Sequence, residues 1–453
     1  MASSESPTPF GGPASAGKDA RPGSTALPEA RLRRARIGVA LLFLTNGALF
    51  ANLLPRYPAI MDELHLSNAQ FGMAVAAFPL GALVAGLGAA ALIRRFGSAA
   101  VAVLGTVLTG AGVLAAGVAP SWALLAGALF AAGAADAITD VAQNSHGLRV
   151  QRLYGRSILN SFHAVWSIGA VLGGLMGAGA ILAGLSRGLH LGLSCLVFAA
   201  VALAASRLLL PGHDPAAAAQ EAQATGTAKT TGRPPLKIWA ILAALVLIAV
   251  SGSLVEDAGS TWAAVYLSGS LGAAASLAAL GYVSLTGAQF VGRLVGDRLV
   301  DRFGQRAVAR CGGVIVLAGM GCALAWPTVP GTIAGFAAAG LGVATLVPAA
   351  MHTADELPGL RHGTGLTLVS WLMRLGFLCS PPVVGLIADA TSVRTGLLVV
   401  PLAGVLVIFL AQVLPPRRGV LHLPKQPRPG DQASVVGDPS SSASSTSSSS
   451  AVP

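Results

Sequence analysis

From residue 38 to residue 414 the chain alternates long apolar runs with short breaks marked by charge, Pro or Gly. A helix needs about 20 apolar residues to cross about 30 Å of hydrocarbon. Twelve runs meet that length, at approximately 38–60, 69–93, 99–118, 122–143, 160–184, 189–210, 238–267, 277–296, 307–326, 331–350, 365–388 and 395–414. Short connections near Pro120 and Pro327 separate neighbouring runs. The pattern predicts an all-α membrane protein of twelve transmembrane helices.

Composition supports this. Of 453 residues, 54% are hydrophobic and only 10% charged, and the mean hydropathy is +0.70, far from a soluble domain. Residues 1–36 are expected to form a disordered cytoplasmic tail without a cleavable leader, so the first span acts as an uncleaved anchor. The Ser-rich stretch 416–453 reads as a second disordered tail. Cys195, Cys311, Cys322 and Cys379 lie inside spans without paired spacing and read as packing residues, not metal ligands or disulfides.

A net charge of +11 raises the question of nucleic acid, and the placement of the charges answers it. Arg31, Arg33, Arg34 and Arg36 precede the first span, and Arg94, Arg95, Arg149, Arg152, Arg156, Lys229, Arg233, Lys237, Arg298, Arg302, Arg306, Arg361, Arg417 and Arg418 fall in alternate connections. The opposite connections hold chiefly Arg187 and Arg394. This is the positive-inside bias of a multi-pass protein of the cytoplasmic membrane with both termini in the cytoplasm.

The longest internal break, 211–236, divides the spans six and six, giving bundles over 37–210 and 237–415. "IRRFG" at 93–97 is matched by "VDRFG" at 300–304, and "GAVLGG" at 169–174 lies where the second half has "SPPVVG" at 380–385. Recurrence at similar offsets points to two related six-helix bundles. On these motifs the chain resembles the major facilitator superfamily. "GRLVGDRLVDRFGQR" at 292–306 is similar to that superfamily's basic loop, including its acid at Asp301, whereas "LIRRFGS" has Arg94 where the acid is expected. The resemblance implies gating roles for Arg293, Asp297, Asp301, Arg302, Arg94 and Arg95. "DVAQN" at 140–144 with "GRSILNSFHAVWSIGAVLGG" at 155–174 is similar to the fucose-permease-like branch.

Ionisable groups are costly inside a span and usually face a bundle interior or aqueous cavity. Here they are Arg56 in span 1, Asp136 and Asp140 in span 4, His163 in span 5, Glu256 and Asp257 in span 7, Arg293 in span 8 and Arg374 in span 11. Asn46, Asn52, Asn160 and Gln289 add polarity, while spans 3, 6, 9 and 12 have almost none away from their ends. In the superfamily's fold those four are peripheral, and 1, 4, 7 and 10 line the central path. Low dielectric favours the protonated form of a carboxylic acid, so Asp140, Glu256, Asp136 and Asp257 are the candidate proton-coupling groups. Asp140 matches the branch's acid four residues before an Asn. The branch's span 1 acid is absent, Ala51 taking its place. Laying 46–60 over 251–265 sets Ala51 opposite Glu256, so the coupling acid is expected to have moved between halves. His163, Arg374, Asn160, Asn52, Trp166 and Trp262 are the candidate substrate-binding residues, with Trp371 as a further apolar face.

Structural alternatives accompany these roles. The span 4 acids can join a charge network with His146, Arg149 or Arg152, Arg374 can lock span 11 by pairing with Asp140 or Glu256, and His163 can be a packing hydrogen bond. Arg56 is expected to snorkel to the outer surface. "GAVLGG" resembles the superfamily's span 5 antiporter motif with Ala170 replacing its Pro. HExxH, the Walker loop, CxxC and GxSxG are missing, so neither an enzyme nor a cofactor is expected. The reading is a monomeric secondary transporter in the lipid bilayer, moving a small sugar-like or polar metabolite by alternating access with protons. Drug or metabolite efflux is one alternative. A non-transporting receptor or scaffold on the same fold is another.

Overall fold

The structure, a computed structural model, describes residues 29–212, 235–358, 360 and 363–416. Every element among them is helical. The helices are α1 (Glu29–Glu63), α2 (Asn68–Gly86, continued by Ala89–Phe96), α3 (Ser98–Gly117), α4 (Trp122–Tyr154), α5 (Leu159–Leu182) and α6 (Arg187–Ser206). After the central break come α7 (Leu236–Ser270), α8 (Leu280–Phe303), α9 (Gln305–Ala325), α10 (Val329–Asp355), α11 (Thr364–Ala390) and α12 (Val393–Val413). Among the described residues, eleven of these are long and apolar enough to cross a membrane. The twelfth, α8, has the length but carries Arg293, Asp297, Arg298, Asp301 and Arg302.

The tails expected to be disordered, over residues 1–28 and from 417, fall outside the described residues, as does most of the central break, 213–234. Residues 29–36, assigned above to the disordered tail, instead form the first turns of α1. "EARLRRAR" is made of strong helix formers, and Glu29 reaches Arg33 one turn on, at 3.9 Å. α4 likewise runs to Tyr154, about three turns beyond the apolar run, and ends on Gly155 in the left-handed conformation.

The repeat read from sequence reappears in backbone detail. α2 turns into α3 through Gly97 at φ 82°, and α8 into α9 through Gly304 at φ 85°, a conformation that glycine adopts without steric penalty. Ser121 caps α4 and Thr328 caps α10. Ser186 caps α6 and Ser392 caps α12.

Within the first half α1 lies on α5, α2 on α4, and α3 on α4 and α6; in the second, α9 lies on α10 and α12, and α7 on α11 and α12. Gly169, Gly173 and Gly177 recur every fourth residue of α5, and a Cβ on them would meet the Leu44 carbonyl, the Ala48 carbonyl and the Pro55 ring of α1. "GAVLGG" is thus a packing surface where small residues let two backbones approach. Large apolar side chains point outward on the peripheral helices, among them Leu104, Leu196, Leu402 and Phe409, as a lipid solvent favours.

With twelve spans, Glu29 and Val413 lie at one face of the bundle, here called the terminal face. The two halves join through α2 against α11 and α5 against α8, a symmetry-related pair of contacts. Both are tight towards the far face. Cβ atoms on Gly72 and Gly385 would collide with the Pro381 and Asn68 carbonyls, and one on Gly174 would press on Tyr282 and Val283. The terminal-face segments Ala89–Phe96, Leu346–Asp355 and Thr364–Leu372 pack chiefly within their own halves. The central cavity therefore opens to the terminal face and is sealed at the far one.

Candidate functional site

The first-half wall of the cavity is organised by Asn46 of α1. Its amide nitrogen donates to Asp136 Oδ1 of α4 at 2.6 Å. Its amide oxygen accepts the Trp166 indole N–H of α5 at 2.8 Å and Gln143 Nε2 at 3.5 Å. One side chain thus ties three helices together. Asp136 is committed to that junction, although Asp136, Asp140 and Asn144 share a helix face by spacing. Asp140 accepts from Asn144 Nδ2 at 2.9 Å and Gln143 Nε2 at 3.4 Å, both on its own helix. It also lies within charge–charge range of His163 on α5 and of Arg374 on α11. Of the residues offered above as structural partners for the acids, His146 bonds the Ser98 hydroxyl and accepts the Leu210 N–H, and Arg149 donates to the carbonyls of Pro211 and Gly212.

His163 is exposed to the cavity, edge-on to Phe43 at 5.2 Å, and feels both Asp140 and Arg293. Asn160, also exposed, stands one turn nearer the terminal face.

The second half supplies Glu256. Its Oε2 accepts Gln289 Nε2 of α8 at 2.7 Å and faces Arg293 at 3.7 Å. Glu256 sits about 30 Å along a helix of about 52 Å, which places it near the middle of the membrane span. Asp140, His163, Arg374, Arg293 and Glu256 therefore form one charged lining contributed by both halves. Glu256 and Asp257, about 100° apart on the helix, diverge: Asp257 turns towards Ser380 of α11 and Tyr57 of α1, and its Oδ2 is buried without a hydrogen bond.

Four expectations need correction. Arg293, expected at the gate, instead pairs with Glu256 inside the cavity, while Asp297, Asp301 and Arg302 stand exposed at the rim. Arg94 and Arg95 stand at the matching rim of α2. Arg95 lies over the Phe96 ring and Arg302 over the Phe303 ring, both at 5.4 Å. Asn52 does not face the cavity. Six residues beyond Asn46 it points about 240° away, and its side-chain oxygen bonds His190 at 2.9 Å and Ser194 at 3.2 Å on α6. Trp262 is fully buried on the sealed side, edge-on to Phe71 at 5.4 Å, with Tyr57 edge-on to the same ring at 5.0 Å. Arg56 does not snorkel: it is 8% exposed, bonds the Leu185 carbonyl at 3.0 Å and reaches His190 at 3.4 Å.

Sequence reasoning did not single out Gln143, His190 or Asp389. Asp389 left a signal, because an acid in the last turn of α11 opposes the helix dipole and calls for a partner elsewhere.

Two pseudo-symmetric six-helix bundles around a charged midplane cavity describe a transporter architecture, and comparison with known proteins agrees. The family model for the Major Facilitator Superfamily matches residues 39–298 and 257–445. The chain belongs to that superfamily. It is 33% identical over 378 residues to the uncharacterized transporter y4wD of Sinorhizobium fredii, covering 83% of this chain and 97% of that protein. It is 28% identical over 369 residues to the membrane protein MosC of Rhizobium meliloti, covering 82% and 87% of the two chains. The crystal structure of a D-xylose-proton symporter superposes with a TM-score of 0.65 at 14% identity, covering 85% of this chain and 98% of that one; at that identity the likeness is one of fold. As a superfamily member the protein is a multi-pass membrane transporter and not an enzyme.

Proposed function

We propose that this superfamily member is a proton-coupled secondary transporter, a symporter that carries a small, polar, sugar-like solute across the cytoplasmic membrane by alternating access. The observation that carries the reading is the charged lining. Each half offers one cavity acid, Asp140 or Glu256, held by amide side chains and facing a cation, Arg374 or Arg293. Protonating such an acid removes its attraction for the cation, which is then free to bind a solute oxygen. Releasing the solute restores the pair and favours loss of the proton. Proton and solute movements are coupled through one set of charges, and each acid is reached from the open face.

Charge placement supports a cytoplasmic terminal face. Arg94, Arg95, Arg152, Arg156, Arg298, Arg302 and Arg306 lie at that end. The far-face arginines are bound within the protein: Arg187 pairs with Glu63 at 2.8 Å, and Arg394 donates to the Leu324 and Ala325 carbonyls.

The test is uptake into proteoliposomes under an imposed pH gradient, with a panel of sugars and other polar metabolites. Accumulation that follows the gradient is expected, and its absence across the panel overturns proton coupling. Asp140→Asn should abolish uphill accumulation and leave solute exchange intact. Arg374→Gln should weaken apparent affinity about tenfold or more, the scale of one charge-assisted hydrogen bond.

A further inference from the structure

At the sealed face one side chain spans the two halves. Asp389, in the last turn of α11, accepts the backbone N–H of Asn68 at 2.8 Å and the Asn68 side-chain amide at 2.9 Å on Oδ1, and the backbone N–H of Ala69 at 3.0 Å on Oδ2. Asn68 and Ala69 open α2, which belongs to the other half. The first N–H groups of a helix have no partner within it and carry the positive end of its dipole, so a carboxylate there makes charge-assisted bonds. The recipient is built for it: Ser67 and Gln70 form a capping box at the same turn, and Trp122 fixes the turn by donating its indole N–H to the Gln70 carbonyl at 2.7 Å. Directly beneath, Gly72 and Gly385 bring the α2 and α11 backbones together. The corresponding turn of α5, around Ala178 and Gly179, has no acid, so the symmetry-related contact between α5 and α8 lacks this bond. All three bonds must break before the halves can part at the far face.

We propose that Asp389 is a positioning residue of the transport cycle, a clasp between α11 and the N-terminus of α2 that holds the far face shut while the cavity is open to the terminal face. This rests on the alternating-access reading above. Asp389 touches no solute; it acts on the balance between the two cavity orientations.

The experiment uses the full chain in lipid nanodiscs, with Cys195, Cys311, Cys322 and Cys379 replaced. Spin-label pairs report each face: Pro120→Cys with Pro327→Cys at the far face, and Ser157→Cys with Pro358→Cys at the terminal face, all at exposed loop positions. Loss of a clasp worth one to two charge-assisted bonds should raise the far-open population about tenfold in Asp389→Ala, with a matching rise in terminal-closed distances. Asn68→Ala removes one of the three bonds and should shift the populations less. Asp389→Ala distances equal to wild type, in protein whose circular dichroism and elution are unchanged, overturn the clasp. A wild type that never samples a far-open distance under any pH or solute, while Asp389→Ala also does not, overturns alternating access itself, which separates the two failures. A fall in folded protein without a population shift makes Asp389 a stability residue only and also overturns the proposal.

Discussion

Asn46 shows how much one amide can organise. It meets a carboxylate, an indole N–H and a second amide from two neighbouring helices. Asn46→Leu strands all three, and an unpaired buried polar group costs about 1–3 kcal/mol. We expect a loss of about 2–4 kcal/mol, with the Asp136 carboxylate the largest part, read as a lowered midpoint in thermal unfolding in detergent. Asp136→Asn keeps an acceptor at the junction and should be nearly as stable as wild type. At the neighbouring acids, Glu256→Gln should abolish gradient-driven uptake, because it removes the charge that faces Arg293. Normal uptake in that variant, with loss in Asp257→Asn, would move the coupling role to Asp257. Legibility also had its limit at this scale. In a soluble helix the apolar stripe tells which way each residue points, but in a membrane helix the lipid-facing and core-facing sides are both apolar. The sequence therefore showed that Asn46 and Asn52 are polar intrusions in span 1, and could not show that one faces the cavity and the other α6. Arg56 was misread for the same reason: an outer-end arginine reads as snorkelling unless its partner, His190, is seen.

At the scale of the helices, most span boundaries were legible to within a few residues, the start of α1 and the ends of α4 and α8 excepted, because hydropathy and length are what a bilayer selects. α4 overran its apolar run because residues towards the terminal face, such as Gln143, Asn144 and Arg149, are satisfied by bonds within the protein and need no lipid contact. The α2–α11 contact depends on having no side chain at Gly72. A branched residue there is a wedge between two backbones. Gly72→Val is expected to fold, since the clash is across the interface of the halves and not within one, and to hold the far face ajar. A cysteine placed at Tyr57, which is fully buried in the sealed state, should then react with a membrane-impermeant maleimide at least about tenfold faster than in the Gly72 background. Equal rates would show that the interface accommodates the wedge by sliding.

At the scale of the molecule, the two bundles were readable from paired motifs, and the structure repeats them down to the glycine turns at Gly97 and Gly304 and the serine and threonine caps. What the repeat does not preserve is charge. The first half carries its acids on α4, the second on α7, and Ala51 stands opposite Glu256. The joint lining exists only when both bundles are assembled, which is why no single span displayed it. It also explains why Arg293 was misassigned: its sequence neighbours Asp297, Asp301 and Arg302 belong to the rim, and only its pairing across to α7 draws it into the cavity.

α8 carries a consequence for how the chain is made. Among the twelve described helices it is the one that falls short in apolarity of a membrane-crossing span, and an arginine or aspartate near a helix centre costs about 2.5–3.5 kcal/mol on insertion. Its polar face is matched by α7, where Glu256 receives both Gln289 and Arg293. Biogenesis should therefore deliver α7 and α8 from the translocon as a preassembled hairpin. In a glycosylation-mapping assay α8 offered alone should mostly fail to integrate, the α7–α8 pair should integrate, and Glu256→Leu within the pair should return α8 towards the aqueous side. The same carboxylate proposed to couple the transport cycle would then first serve as a chaperone for its neighbour.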